Sequence, residues 1–225
     1  MKMFLALAIL LVGFASSFAQ TEQAPLLEKE IAYKDWTYKS VRDEKQINLR
    51  DFTKKKKLVM VVYFAPWCPN WKHEAPFAQK LYDKYKANGF DVIGVGEYDT
   101  VAAMKTNLDN FKITFPVVYE SDTKDAKQKT LHYEYRKMAG DVRGWGSPWN
   151  IFIERANVEK KGEVLMKKAF VVNGELIEAD VEKFVRQKLG LPAEQTKADG
   201  SQSKPVEACD PEKKTMSLKK TEPEK

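Results

Sequence analysis

The stretch Leu58–Pro76, LVMVVYFAPWCPNWKHEAP, decides how the chain is read. Leu58 to Phe64 is a continuous apolar, β-branched and aromatic run, the pattern of a strand covered on both faces. The run breaks at Ala65-Pro66-Trp67, and beyond Cys68 a different period begins. Ala75, Ala78, Leu81, Tyr82 and Tyr85 recur at three and four, which predicts an amphipathic helix that stops at Asn88-Gly89. Pro69 suits the first helical turn, where its missing N–H is no loss, and Pro76 is expected to bend the same helix. Cys68 therefore stands where a buried strand hands over to a helix N-terminus. The unpaired N–H groups and positive dipole end there favour a thiolate over a thiol, which makes Cys68 the candidate nucleophile.

With Phe64, Trp67, Cys68, Pro69 and Pro76 in these places, the chain resembles the thioredoxin superfamily, in its exported TlpA-like and AhpC/TSA redoxin branch. The resemblance implies an α/β fold, a central mixed sheet flanked by helices. It also implies thiol-disulfide exchange on a polypeptide or small-thiol substrate, with an external thiol as reductant. The departures matter as much. Thioredoxin-like oxidoreductases carry C-x-x-C, the second cysteine one helical turn on to resolve the mixed disulfide. Here the loop reads Cys68-Pro69-Asn70-Trp71, a degenerate C-x-x-W. Family members also often bury an acid six residues before the nucleophile, and Val62 stands there. The peroxiredoxin pattern wants Pro seven and Thr or Ser three residues before its cysteine. Val61 and Ala65 occupy those positions, which argues against a peroxidase.

Upstream, Met1 to Ala19 has one early lysine, an apolar core from Met3 to Phe14 and a small-x-small signal at Ser17-Phe18-Ala19, which predicts a secretory signal peptide rather than a spanning helix. The mature protein is expected to be periplasmic or extracellular, without stable membrane insertion. Residues 20–30 read as an N-terminal leader. Ile31 to Val41 and Ile47 to Leu49 read as a hairpin about a polar turn at Arg42 to Lys45. The formal charge of +6 comes from lysines scattered among nearly as many acids. Nucleic-acid binding needs a clustered basic face, and only Lys54 to Lys57 forms a cluster, so no nucleic-acid partner is expected.

Downstream, Phe90 to Val95 and Ile113 to Tyr119 read as strands, and a helix capped by Thr100 carries Met104, Leu108 and Phe111 on one face. Ser121 to Gly144 is longer than the family's connection, either an insertion with structure of its own or a lid, with a weakly periodic helical part from Ala126 to Met138. Strands follow at Asn150 to Arg155 and Val164 to Val172. A closing helix carries Val181, Phe184, Val185 and Leu189 and ends at Gly190. By resemblance Pro148 is the cis-proline that packs against the nucleophile loop, where neighbouring backbone pairs with substrate. Trp67, Pro69, Trp71, Ser147, Pro148 and Trp149 are accordingly the candidate walls of a polypeptide groove, with Trp67 the exposed one and with Trp71 and Trp149 read equally as core residues under the loop.

The domain expected over residues 31–190 is followed by a charged tail, 191–225, too poor in large apolar residues to fold alone. The tail holds Cys209, the only other cysteine. About 19 flexible residues span roughly 25 Å, so contact with Cys68 is allowed without being enforced: Cys209 is the candidate resolving residue, and the rival reading is that it pairs with another chain or stays free. His73 falls on a different helical face from Cys68 and is read as solvent-facing, and His132 offers no catalytic pairing. Two cysteines and two histidines without tight spacing predict no metal, and no cofactor is expected. Three function classes compete: an oxidoreductase with a single nucleophilic cysteine in its loop and Cys209 or an external thiol as resolver, a binding module that keeps the fold and the groove without turnover, and a peroxidase or other cysteine hydrolase, which the missing motif residues disfavour.

Overall fold

The computed structural model describes residues 22–166 and 168–192. In chain order the strands are β1 (Gln23–Ala24), β2 (Leu27–Glu30), β3 (Thr37–Ser40) and β4 (Gln46–Asn48), then helix α1 (Leu49–Thr53). The centre of the chain gives β5 (Leu58–Phe64), α2 (Pro69–Tyr85), β6 (Phe90–Gly96), α3 (Val101–Asn110), β7 (Val117–Tyr119) and α4 (Leu131–Ala139). The last elements are β8 (Trp149–Glu154), β9 (Lys168–Val172), β10 (Glu175–Leu176) and α5 (Glu178–Leu189).

Eight strands form a mixed sheet in the order β2-β9-β8-β5-β6-β7-β3-β4, and β1 pairs with β10 in a separate two-stranded piece. The all-apolar β5 lies inside this sheet, parallel to β6 and antiparallel to β8. Its seven residues are all buried, which requires cover on both faces. Side-chain alternation divides them. Leu58, Met60, Val62 and Phe64 join one core with Trp71, Ala75 and Ala78 of α2, Met104 and Leu108 of α3, and Val181 and Val185 of α5. Val59, Val61 and Tyr63 join a second core with Tyr33, Trp36, Ile151 and Ile153, and with Tyr135 and Ala139 of α4.

That second core explains the long connection from Ser121 to Gly144. It carries α4, capped by the Thr130 hydroxyl at its start and by Gly140, at φ +77°, at its end. Through Tyr135 and Ala139 the insertion covers part of the sheet that would otherwise face water.

Other segments differ from the sequence reading in extent. The stretch expected as a leader contributes β1 and β2, the latter pairing with β9. The hairpin is confined to β3 and β4, and β3 also pairs with β7, which attaches it to the main sheet. The strand expected from Ile113 forms only over β7, because Pro116 has no N–H to give to a ladder. The strand expected from Val164 forms only from Lys168, with an isolated bridge between Tyr33 and Leu165 ahead of it. Helix α2 continues through Pro76, and a left-handed Gly89 closes the short 3-10 turn behind it. No helix among the described residues is long and apolar enough to cross a membrane. The expected signal peptide and nearly all of the expected tail lie outside the described residues.

Candidate active site

Cys68 is the N-cap of α2, with extended backbone at φ −69° and ψ 124°, and Pro69 opens the first turn. The loop is locked by main-chain bonds from Cys68 N to Ala65 O, 3.0 Å, and from Lys72 N to Cys68 O, 3.2 Å. The residue is fully buried and disulfide-bonded. Cys209, the candidate resolving residue, lies outside the described residues.

Facing the loop is a turn whose Ser147–Pro148 peptide bond is cis. Ser147 ties the two together: its hydroxyl accepts from Ala65 N at 2.8 Å, and its carbonyl oxygen lies 3.1 Å from Cys68 Sγ. Arg143 donates to the Pro148 carbonyl at 2.8 Å. Asn107 of α3 acts as a clamp from below, donating to Pro66 O at 3.1 Å and accepting from the Trp71 indole at 2.9 Å.

The candidate groove residues separate into two groups. Trp67 and Pro69 are half-buried rather than open, and Trp67 meets Trp145 edge to face at 5.2 Å. Trp71 and Trp149, read either as groove walls or as core residues under the loop, are fully buried and so are not groove walls. Trp71 stacks on Phe64 at 4.4 Å, and the Trp149 indole donates to Asn173 at 2.8 Å. Both are footings of the loops, because each indole has a polar partner inside the core and its apolar body fills the space under the turn. Ser147 and Pro148 are buried as well. The accessible strip near Cys68 is therefore Trp67, Pro69 and Trp145.

His73, expected to face solvent freely, is about half exposed yet bonded through Nδ1 to Glu175 at 2.6 Å. His132 is buried, hydrogen-bonded to the Tyr98 hydroxyl at 3.0 Å and stacked on Tyr63 at 4.8 Å. Burial, aided by the Arg136 charge, holds its pKa well below the ordinary histidine value, so it is neutral. Among the described residues no group of three or more His, Cys, Asp or Glu could hold a metal ion.

The residue that sequence reasoning missed is Glu74. Its carboxylate is buried and accepts from Leu176 N at 2.8 Å and from the Asn150 amide at 3.4 Å. Asn150 sits opposite Val62 in the β5–β8 register. The acid absent from position 62 is thus supplied to the same neighbourhood from α2. Burial raises the Glu74 pKa to about 8. A signal existed in the sequence: Trp71, Glu74, Ala78, Leu81 and Tyr85 lie on one stripe of the helix, and an acid on a buried stripe calls for a reason.

A mixed sheet with a helix-capping cysteine opposite a cis-proline defines a thioredoxin-like protein. The chain belongs to the AhpC/TSA family, whose model matches residues 29–158. The thiol-disulfide oxidoreductase ResA of Bacillus cereus is 32% identical over 80 residues, 36% of this chain and 45% of that protein, so the match spans less than half of the relative. A phospholipid hydroperoxide glutathione peroxidase of Arabidopsis thaliana is 26% identical over 159 residues, 67% of this chain and 65% of that protein. Among solved structures, a secreted thiol-disulfide isomerase from Corynebacterium glutamicum superposes with a TM-score of 0.52 at 19% identity, covering 70% of this chain and 85% of that one.

Proposed function

We propose that the protein is an exported thiol-disulfide oxidoreductase in which Cys68 is the only nucleophile of the loop and Cys209 resolves. The observation that carries this reading is Cys68 at the α2 N-cap with Sγ 3.1 Å from the carbonyl oxygen that precedes a cis-proline. Helix N-terminal N–H groups stabilise developing negative charge on sulfur, and the Ser147–Pro148 backbone is the edge along which a substrate strand would lie.

In this scheme the Cys68 thiolate attacks one sulfur of a substrate disulfide and expels the other as a thiolate. The Cys209 thiolate then attacks Cys68 Sγ, freeing the second substrate thiol and leaving a Cys68–Cys209 disulfide. Two electrons pass to the substrate, and an external dithiol restores the protein. Glu74, with a pKa of about 8, is poised to take and return a proton near neutral pH. Export is the compartment in which such a disulfide persists, and it agrees with the Met1 to Ala19 pattern.

One observation favours a binding module instead: in its disulfide-bonded form Cys68 has no exposed surface for an incoming thiol to reach. Insulin reduction together with mixed-disulfide trapping separates the two. Wild type should form mixed disulfides that Cys209→Ser traps and Cys68→Ser abolishes. Absence of any mixed disulfide from reduced Cys209→Ser, with no insulin reduction by the wild type, would sink the oxidoreductase reading and leave the binding module.

A further inference from the structure

The insertion between β7 and β8 does more than cover the sheet. Between α4 and the turn that follows it lies a cleft of about 450 Å³, lined by Lys127, Tyr133, Arg136, Lys137, Asp141 and Arg143 among others. Four of the lining residues are cationic and one is anionic.

The lone acid is already committed. Asp141 accepts from Arg136 Nε at 3.0 Å and from Arg143 at 2.8 Å and 3.0 Å. Arg143 is further engaged by Glu22 at 3.2 Å. The positive charge left over belongs to Lys127 and Lys137, whose ammonium groups lie over the rings of Trp145 and Tyr133, at 4.2 Å and 5.5 Å. Beneath them Arg136, with only 3% of its side chain exposed, keeps an Nη1 donor that is buried and has no acceptor. A buried guanidinium donor without an acceptor is costly, and an oxyanion drawn into the cleft would relieve it.

Two short links join this cleft to the redox site. Arg143, on the cleft wall, donates to the carbonyl of Pro148. Lys127, on the rim, covers Trp145, which packs on Trp67, the residue just before Cys68; Lys124 lies over Trp67 itself at 5.8 Å. A basic, aromatic strip therefore runs from the cleft to the nucleophile loop.

The geometry points to a carboxylate subsite in this cleft, which selects polypeptide substrates carrying Asp or Glu a few residues from the disulfide presented to Cys68. The inference rests on the oxidoreductase reading for its substrate, but the binding it requires does not depend on turnover.

The probes are two fluorescein-labelled peptides without cysteine, one alternating Glu and Gly, the other alternating Gln and Gly, titrated into the full-length protein at low and at physiological salt. The Glu peptide should bind at least tenfold more tightly, with the preference shrinking as salt rises. A Lys127→Gln/Lys137→Gln double variant should lose that preference. Lys54→Gln/Lys55→Gln, at the far end of β5, removes the same charge and should keep it. Equal affinity for the two peptides, or an equal loss in both double variants, overturns the subsite. A matched pair of disulfide-bearing peptides with Glu or Gln flanks then measures exchange. Faster exchange with the Glu flank supports the inference. Exchange at the same rate for both flanks overturns it while leaving the oxidoreductase standing. No exchange with either, alongside selective binding of the Glu peptide, overturns the oxidoreductase and leaves the subsite standing.

Discussion

Trp71 occupies the position where a resolving cysteine would complete the loop, and its surroundings decide what restoring that cysteine would do. Its ring is fully buried, stacked on Phe64, with the indole N–H on Asn107. Trp71→Cys should therefore lower stability by about 3–5 kcal/mol through the cavity it leaves, measurable by urea unfolding, while placing a thiol one turn from Cys68. A variant of unchanged stability would show that Trp71 is not the footing described above. Glu74 sets a second expectation. Burial raises its pKa from about 4.5 to about 8, so between those values the native state holds a proton that the unfolded chain has released. Stability should then fall as pH rises through that window, by on the order of a few kcal/mol in total. Glu74→Gln should flatten part of the decline; Glu97, raised by burial and by Glu120, and Glu175, raised by burial, add to it in both proteins, while His132, held neutral by burial, contributes the opposite slope below the ordinary histidine value in both. Thermal melts from pH 5 to pH 8 check this, and identical slopes for the two proteins would remove Glu74 as the cause.

At the scale of elements, what could be read from the sequence depended on how locally each segment is determined. β5, α2, β6 and α5 were legible because a fully buried strand and an amphipathic helix carry their own patterns, and Gly89 and Gly190 end their helices with left-handed backbone. That the C-x-x-W loop and the cis-proline turn are neighbours was legible through the family resemblance alone, since no local period brings Cys68 to Pro148. The stripe that buries Trp71 and Glu74 is a local period of α2, whereas the burial of Trp149 and the partners that meet Glu74 beside the Val62 position depend on contacts between distant segments that no local period encodes. The insertion was only partly legible: a weak helical period from Ala126 to Met138 foreshadows α4, but α4 packs through Tyr135 and Ala139, which need the second face of the sheet to be buried. Its attachment gives a third expectation. Gly146 has φ +62°, and a Cβ there would come within 1.7 Å of Arg136 Nε. Gly146→Ala should disturb the buried Arg136–Asp141 pair and strain the turn, costing about 3 kcal/mol or more in unfolding free energy. A loss below about 1 kcal/mol would mean that Arg136 moves aside freely.

For the whole molecule, the question is what the segment beyond the described residues does for the folded domain. Two cores are formed among the described residues, and the sequence after Pro192 is rich in Lys, Glu, Ser and Thr, with little apolar surface to bury. Truncation after Pro192 should thus leave the melting temperature of the reduced protein within about 2 °C of full length. Under oxidising conditions the two forms should part. If Cys209 is the residue that resolves Cys68, the bond closes a loop of more than a hundred residues, and the loss of chain entropy from the unfolded state stabilises the oxidised full-length protein by roughly 4–5 kcal/mol. The gap should vanish on adding reductant and should be reproduced by Cys209→Ser alone, which keeps the tail and removes only the sulfur. A gap that survives in the reductant would assign the tail a packing role. No gap under either condition, with both thiols free to alkylation after export, would remove Cys209 from the mechanism and leave Cys68 to work with an external thiol.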